Sequence, residues 1–493
     1  MPRNTKFEFV RIYYFLIFIL TGFSALTYQI VWQRILTNFT GADALSVTLV
    51  VGAFMGGLGF GSLFGGYAAD RLPAEKRVSL FALTQAGIAC FAIISPWFYY
   101  DLLYLQFGFI AKYPLLMILT LFISLLWPTF LMGLSLPLLA KTLTHKIEKA
   151  SEVTGYLYGF NTLGAAIGAL ITTWLIVRRV GLNGAIEVGA VLNFIAAGGA
   201  FFSLKLFKEH EESTAINSSV SNEPQLLSIQ TWILIYGISG FIALSLEIVW
   251  FRILGVMLKS TTFTFGHLLG IMLGSMAIGT LFGTWRVNRS QDAVRKFFGF
   301  QSGIIIYTAI FLIIFVSLTP DLKSFWDFFG RDDPLDMKTI LQAGKSDFIR
   351  MYLVLGLIFI GPPSFLMGIS YPYLQKIVQH DLSALGRRVG VLQSVNILGS
   401  MCGAFITGWI LLTAAGVLST LKILLCINSI FLILLFYIRY PRASFAIAAL
   451  IIIPLICLMP SSKHFWANLH GISEQKVITH EDNSGIALLK NES

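Results

Sequence analysis

The sequence predicts an all-α polytopic membrane protein: two parallel six-helix repeats with a candidate thirteenth helix after them. Three observations carry the prediction. Hydrophobic residues make up 56% of the 493-residue chain and charged residues 12%, against about 25% charged in soluble domains. Apolar runs long enough to cross about 30 Å of hydrocarbon recur along its length. One unit is also present twice, in the same order and direction. Residues 22–36 read GFSALTYQIVWQRIL and residues 240–254 read GFIALSLEIVWFRIL.

The repeat runs well past this motif. Gly52, Gly56, Gly61, Gly65 and Arg71 recur as Gly270, Gly274, Gly279, Gly283 and Arg289. After a longer insertion, Pro128, Gly133, Pro137, Lys141, Asn161, Gly164 and Gly168 recur as Pro363, Gly368, Pro372, Lys376, Asn396, Gly399 and Gly403. Spans are predicted near 10–33, 44–68, 78–98, 113–140, 152–177 and 183–205 in the first copy. The second copy gives 229–254, 263–285, 297–318, 349–376, 388–413 and 417–438. The chain divides into a first repeat at 1–206, a cytoplasmic linker at 207–228 and a second repeat at 229–440. A candidate thirteenth transmembrane helix follows at 441–460, with its apolar core at 443–459, and then a tail at 461–493. The first apolar run follows a basic start, as a signal peptide would. Its motif-bearing end recurs in the seventh span, so it belongs to the fold.

Parallel copies need an even number of spans each. Arg3, Lys6 and Arg11, the 2–3 loop (Arg71, Lys76, Arg77), the 4–5 loop (Lys141, Lys146, Lys149) and the 8–9 loop (Arg286, Arg289, Arg295, Lys296) then share one face. The positive-inside rule assigns that face, with the N-terminus, to the cytoplasm, and a bacterial inner membrane is the expected location. The net charge of +10 therefore reflects topology. No nucleic-acid partner is expected, because the basic residues are spread over helix-end loops and form no stripe with base-stacking aromatics. The expected surrounding is the lipid bilayer. A protein partner would meet the long opposite loop 319–350 or the C-terminal tail. Cys90, Cys402, Cys426 and Cys457 fall in predicted helices without CxxC spacing or neighbouring histidines. They read as buried small apolar residues, and no metal site or disulfide is expected.

The most pointed residue is Glu247, seven residues from the predicted outer end of the seventh span and so roughly 10 Å deep. An ionised side chain at mid-span costs on the order of 2.5–3.5 kcal/mol on insertion scales, so it should face protein or water. Trp250 follows one turn later, and the first repeat sets Gln29 and Trp32 in the equivalent places. A carboxylate beside aromatic faces suits an organic cation. Asn161 and Asn396, in the fifth span of each repeat, complete the candidate substrate-binding set. Each residue also has a plainer reading. Trp32 and Trp250 fit an interfacial belt, and Arg34 and Arg252 fit snorkelling anchors. Glu247 fits a bond to a neighbouring helix, and the asparagines fit interhelical hydrogen bonds of about 0.6–2 kcal/mol. Lys141 and Lys376 fit topology anchors, and Pro128, Pro137, Pro363 and Pro372 fit helix bends. His267, with Leu49 in its place in the first repeat, fits a packed neutral ring. Asp70 and Asp101 read as loop residues at the membrane edge.

Gly66-Tyr67-Ala68-Ala69-Asp70-Arg71, followed by Lys76-Arg77, resembles the cytoplasmic loop signature of the major facilitator superfamily. Members of that superfamily carry twelve helices in two six-helix halves. The resemblance makes Asp70, Arg71 and Arg289 a candidate conformational loop. The match departs at Leu72-Pro73, where a glycine is usual, and at Asn288-Arg289, which stands for Asp-Arg in the second repeat. Over nearly the whole chain, SALTYQIVWQRIL, PTFLMGLSLPLL and YGFNTLGAAIGA are similar to the membrane half of the fused membrane/spermidine-synthase family. There a facilitator-like domain precedes an aminopropyltransferase-like one. The tail resembles the first strands of such a synthase, with a turn at Asn483-Ser484-Gly485 before Ile486-Ala487-Leu488-Leu489. The resemblance implies a glycine-rich S-adenosyl loop and acidic amine-binding residues, which this sequence lacks. No cofactor is therefore expected in this chain, an S-adenosyl-type donor entering only with a synthase domain. The chain alone is expected not to transfer an aminopropyl group. Three functional expectations follow. The first is binding or transport of a small molecule, a polyamine or other organic cation, in a cavity between the repeats. The second is a membrane anchor or substrate-delivery module for such a transferase, discriminated by whether 443–459 spans. The third is a non-transporting partner in a membrane complex.

Overall fold

The computed structural model describes residues 3–40, 44–107, 113–211, 227–258, 262–318, 349–469, 477–481 and 486–490. Each expected span is a helix. The first repeat comprises α1 (Arg3–Thr40), α2 (Ala44–Arg71), α3 (Ala74–Pro96), α4 (Pro114–Leu143), α5 (Ala150–Ile171) and α6 (Val177–Glu211). The second comprises α7 (Ile229–Met257), α8 (Thr262–Val287), α9 (Ala293–Leu318), α10 (Leu355–Val378), α11 (Leu385–Phe405) and α12 (Leu412–Tyr437). Then come α13 (Ser444–Leu458), α14 (Ser462–Leu469) and an antiparallel pair, β1 (Val477–Glu481) and β2 (Ile486–Lys490), in register from Val477↔Lys490 to Glu481↔Ile486. Among the described residues nine stretches are long and apolar enough to cross a membrane, two of them, Ile147–Leu204 and Leu385–Tyr437, running through two helices each.

The duplicated glycines are helix crossings. A Cβ on Gly22 would run into the carbonyl oxygen of Asn161, and one on Gly240 into that of Asn396. Gly164 and Gly399 return the favour, each lying against a backbone carbonyl of the partner helix, Ile19 and Gly237. α1 therefore locks onto α5, and α7 onto α11, by the same contact. Gly61 with Gly133, and Gly279 with Gly368, do the same for α2 on α4 and α8 on α10. Lipid supplies no hydrophobic drive between helices, so close backbone approach and dispersion must hold them. A polar clasp missed in the sequence also repeats: the Gln85 amide donates to Ser135 Oγ, and Gln301 to Ser370 Oγ, both at 2.9 Å. The two halves meet along two seams, α2 against α11 and α5 against α8. The main partners of α1 are α5 and α6, and those of α7 are α11 and α12, each within its own half.

Several boundaries differ from expectation. α3 continues as a π-helical stretch, Trp97–Gln106, which contains Asp101. α5 and α11 both end in π-helical segments, Thr172–Ile176 and Ile406–Leu411, and each is followed by a glycine of positive φ, Gly181 (71°) and Gly416 (73°). A π-helical turn, Ile349–Val354, leads into α10. α6 runs to Glu211, inside the expected linker, and most of loop 319–350 lies outside the described residues. α13 has 15 residues, about 22 Å at 1.5 Å each, and packs on α12 and α9. α14 then packs on α12, with Phe465 and Trp466 fully buried. The cysteines are a correction: all four are free and exposed on the helix surface, where hydrocarbon satisfies an apolar thiol as well as a core does.

Candidate functional site

Gln29 and Glu247 stand at equivalent positions of α1 and α7, and both are half-buried. Thirteen residues earlier on each helix stands an exposed leucine, Leu16 at 57% and Leu234 at 64%. Thirteen residues is a turn of about 140° from that apolar face. The carboxamide and the carboxylate are thus turned away from the lipid-facing stripe. Among the described residues Glu247 has no hydrogen-bond or ion-pair partner. α7 extends to Met257, so Glu247 lies ten residues from its end, about 15 Å, deeper than its sequence suggested.

The other expected site residues go elsewhere. Trp32 and Trp250 are fully buried in protein, so neither is an interfacial belt residue, and neither shares the accessible face of Gln29 or Glu247. The Trp32 indole N–H donates to Ser95 Oγ at 2.9 Å, and its ring stacks on Tyr28 at 5.1 Å. Trp250 belongs to the second-half core. Asn161 donates its amide to the Phe18 carbonyl at 3.2 Å, and Asn396 to the Tyr236 carbonyl at 3.0 Å. These are repeat-equivalent bonds, which support the crossings of α1 on α5 and α7 on α11.

At the basic end the halves are tied by polar bonds. The Asp70 carboxylate, at the end of α2, accepts the backbone N–H groups of Gly386 (2.9 Å) and Arg387 (2.8 Å) in the first turn of α11. Those groups have no acceptor inside their own helix. Lys141, from the end of α4, lies 3.3 Å from the same carboxylate and donates to the carbonyls of Leu382 and Ser383. Asp381 in that turn is held below the usual carboxylate range, first by the Ser383 hydroxyl. In the other seam Asn288, the counterpart of Asp70, donates to Glu152, which also pairs with Lys149. Lys376 grips its own half, donating to the carbonyls of Val287 and Ser290. Arg71 lies over Tyr67 of its own helix at 6.0 Å, and Arg289, just past the end of α8, over Trp285 at 5.3 Å.

Two features were not read from the sequence. Lys141 is a bridge between the halves and not just a topology anchor; its recurrence as Lys376 marked a fixed register but not this role, since Lys376 bonds within its own half. Tyr158 of α5 stacks on Tyr371 of α10 at 4.3 Å, with Tyr236 of α7 at 6.5 Å from Tyr371. This aromatic floor has Gln393, Leu136 and Phe18 at the equivalent places, so the repeat gave no hint of it. Among the described residues no group of three or more His, Cys, Asp or Glu side chains is arranged to hold a metal ion.

The profile of the Major Facilitator Superfamily matches residues 13–328. No curated relative matches the chain. Among solved structures the fold resembles a bacterial homologue of the iron transporter ferroportin, in an outward-facing state with soaked iron. The TM-score is 0.54 at 13% identity, over 90% of this chain and 99% of that one. It also resembles a human organic anion transporter, with a TM-score of 0.51 at 14% identity, over 93% of this chain and all of that one. At such identities the likeness is one of fold.

Proposed function

The chain belongs to the Major Facilitator Superfamily, and from that premise we propose that it carries a small organic cation, a polyamine or related amine, between its two halves by alternating access. It is an integral membrane protein with a transporter fold, so a bilayer and a small-molecule substrate are its natural partners. The observation that carries the reading is Glu247: a carboxylate about 15 Å inside the span, turned from lipid and without a protein partner among the described residues. An unpaired intramembrane carboxylate is costly, and a bound ammonium group would offset that cost. The choice of an amine also rests on the resemblance of the membrane segments to those that precede spermidine-synthase domains. We place the basic face, with the N-terminus, in the cytoplasm of a bacterium, from the distribution of Lys and Arg. The bonds from Asp70 and Lys141 to α11 then hold the cytoplasmic side closed.

The test is binding of labelled putrescine and spermidine to the purified protein in detergent, beside Glu247→Gln. Saturable binding that drops at least about tenfold in the variant is expected, as loss of a charge-assisted bond requires. Equal binding by both proteins would remove the carboxylate from the site. No binding by folded wild-type protein would remove the amines.

A further inference from the structure

At the end opposite the basic loops, a polar bridge between the halves runs through a histidine. His267, on α8, is 6% exposed. Its Nδ1 lies 3.2 Å from the indole nitrogen of Trp174, which stands in the π-helical end of α5 in the first half. Its Nε2 lies 3.1 Å from the backbone carbonyl oxygen of Tyr352, in the turn before α10. An indole nitrogen only donates and a carbonyl oxygen only accepts. The two bonds therefore require a neutral ring with its single proton on Nε2. The three rings pack edge-on, at 5.8 Å (Trp174–His267), 5.6 Å (His267–Tyr352) and 6.0 Å (Trp174–Tyr352). Next to Trp174, Thr173 meets Gly266 of α8, so the seam is close-packed at this point.

We propose that His267 is an acid-released latch on the gate at this end. A proton taken from the bulk solution on that side adds to Nδ1. The imidazolium then presents an N–H to the Trp174 N–H, and two donors face each other where donor and acceptor stood. The bond to Tyr352 survives, because Nε2 keeps its proton. The bridge that fails is the one joining the two halves, while the bond within the second half holds. Acid on this face therefore favours separation of α5 from α8. The first repeat has Leu49 at the equivalent position, so only one of the two seams carries the latch. The proposal rests on the alternating-access reading but not on the amine: it needs the halves to move, whatever they carry.

Ionisable groups on the elements packed around the ring are the Tyr352 phenol, with Arg350 two residues earlier in the sequence, and Tyr236, Glu247 and Arg252 on α7. To these add Tyr156 and Tyr158 on α5, Tyr371 and Tyr373 on α10, Arg286 at the far end of α8, and Arg178 and Arg179 beyond the π-helical segment of α5. Glu152 and Lys376 lie at the far ends of α5 and α10. Between about pH 8 and 5 arginines and phenols keep their charge state, and histidine ordinarily changes it. Glu247 is the group that must be controlled.

The test is a distance measurement by pulsed electron paramagnetic resonance on the full chain. Its four cysteines are replaced by serine, and spin labels are placed at Val180 and Ala414, exposed positions on the two hairpins of this end. Acidification from about pH 8 to 5 is expected to raise the ratio of long to short distances by about two- to tenfold, the loss of one hydrogen bond. H267Q, whose amide accepts from Trp174 and donates to Tyr352 but takes up no proton in this range, should stay short throughout. W174F should be long at both pH values, and E247Q should respond as the wild type does. A flat wild-type response would overturn the latch. So would an unchanged acid response in H267Q, or one abolished by E247Q. Distances report movement without substrate, so failure of amine binding would leave this result standing, and the reverse.

Discussion

Replacing Asp70 by Asn should open the basic end of the molecule. The carboxylate takes two backbone N–H groups of α11 at 2.9 and 2.8 Å and sits 3.3 Å from the Lys141 ammonium. Side-chain exposures of 15% for Asp70 and 13% for Lys141 mean that water screens little of this. Hydrogen bonds to a charged group are worth about 1.5–3 kcal/mol each, and neutral ones about 1 kcal/mol. Asn keeps one oxygen for one N–H, turns its NH2 towards the other, and loses the attraction to Lys141. The expected loss is about 3 kcal/mol, one charged bond and part of the second. The two N–H bonds cross between the halves, so their loss falls on the closed conformation, whereas the pairing of Asp70 with Lys141 lies within the first half. At 1.4 kcal/mol per tenfold, the ratio of open to closed should rise about 100-fold. Spin labels at Lys76 and Gln291, exposed at the basic ends of α3 and α9, would report it. Arg71→Ala is the control: its guanidinium lies over Tyr67 of its own helix, a contact of about 0.5–1 kcal/mol that does not cross the seam. If Asp70→Asn left the distances unchanged while Arg71→Ala lengthened them, the arginine and not the carboxylate would be the tie.

Two further predictions concern the scaffold. Gly240→Ala should lower thermal stability in detergent by at least about 1–3 kcal/mol, as overpacking does, because the new methyl group would meet the Asn396 carbonyl and push α7 off α11; an unchanged unfolding midpoint would show that the crossing is loose. Gly416→Ala and Gly181→Ala should each cost about 1–3 kcal/mol, from φ of 73° and 71° with ψ near 180°. At Gly181 nothing lies within 4 Å of a Cβ, so any loss there is purely conformational. Gly198, equally open but with no positive φ, should tolerate alanine without loss.

The helices of the two repeats, their order and their duplication were legible in the sequence, because hydrocarbon thickness sets a length that composition reveals. Which face of each span meets protein was far less legible. In water a buried face contrasts with a polar one. In lipid both faces are apolar, so Trp32 and Trp250 looked like belt residues and proved to be core, while four cysteines looked buried and proved to be exposed. Glu247 could be flagged because charge is the one property lipid does not mask, but its depth was misjudged with the helix end. Gly181 and Gly416 carried a readable cue, a shared register in the two repeats; the π-helical segments before them have no such compositional mark.

The repeat sorts the remaining residues by what each half has kept and what it has changed. The glycines and amides kept in both halves are mechanical, while Lys141, kept as Lys376, bridges the halves where its counterpart holds only its own. Gly22 and Gly240 with Asn161 and Asn396 make one crossing twice, and Gln85 with Ser135 and Gln301 with Ser370 make one clasp twice. A mechanical contact between two identical folds has the same solution in each, so symmetry persists there. Positions that differ are where the halves act on each other or on a ligand: Gln29 against Glu247, Asp70 against Asn288, Leu136 against Tyr371, Leu49 against His267. One carboxylate leaves one charge inside the span for a bound ammonium group to offset, and a second would add its own cost there. A gate with one titrating seam likewise opens from a defined side. The broken symmetry at these four places accords with the proposed carrier, in which the two halves do different work at the seams.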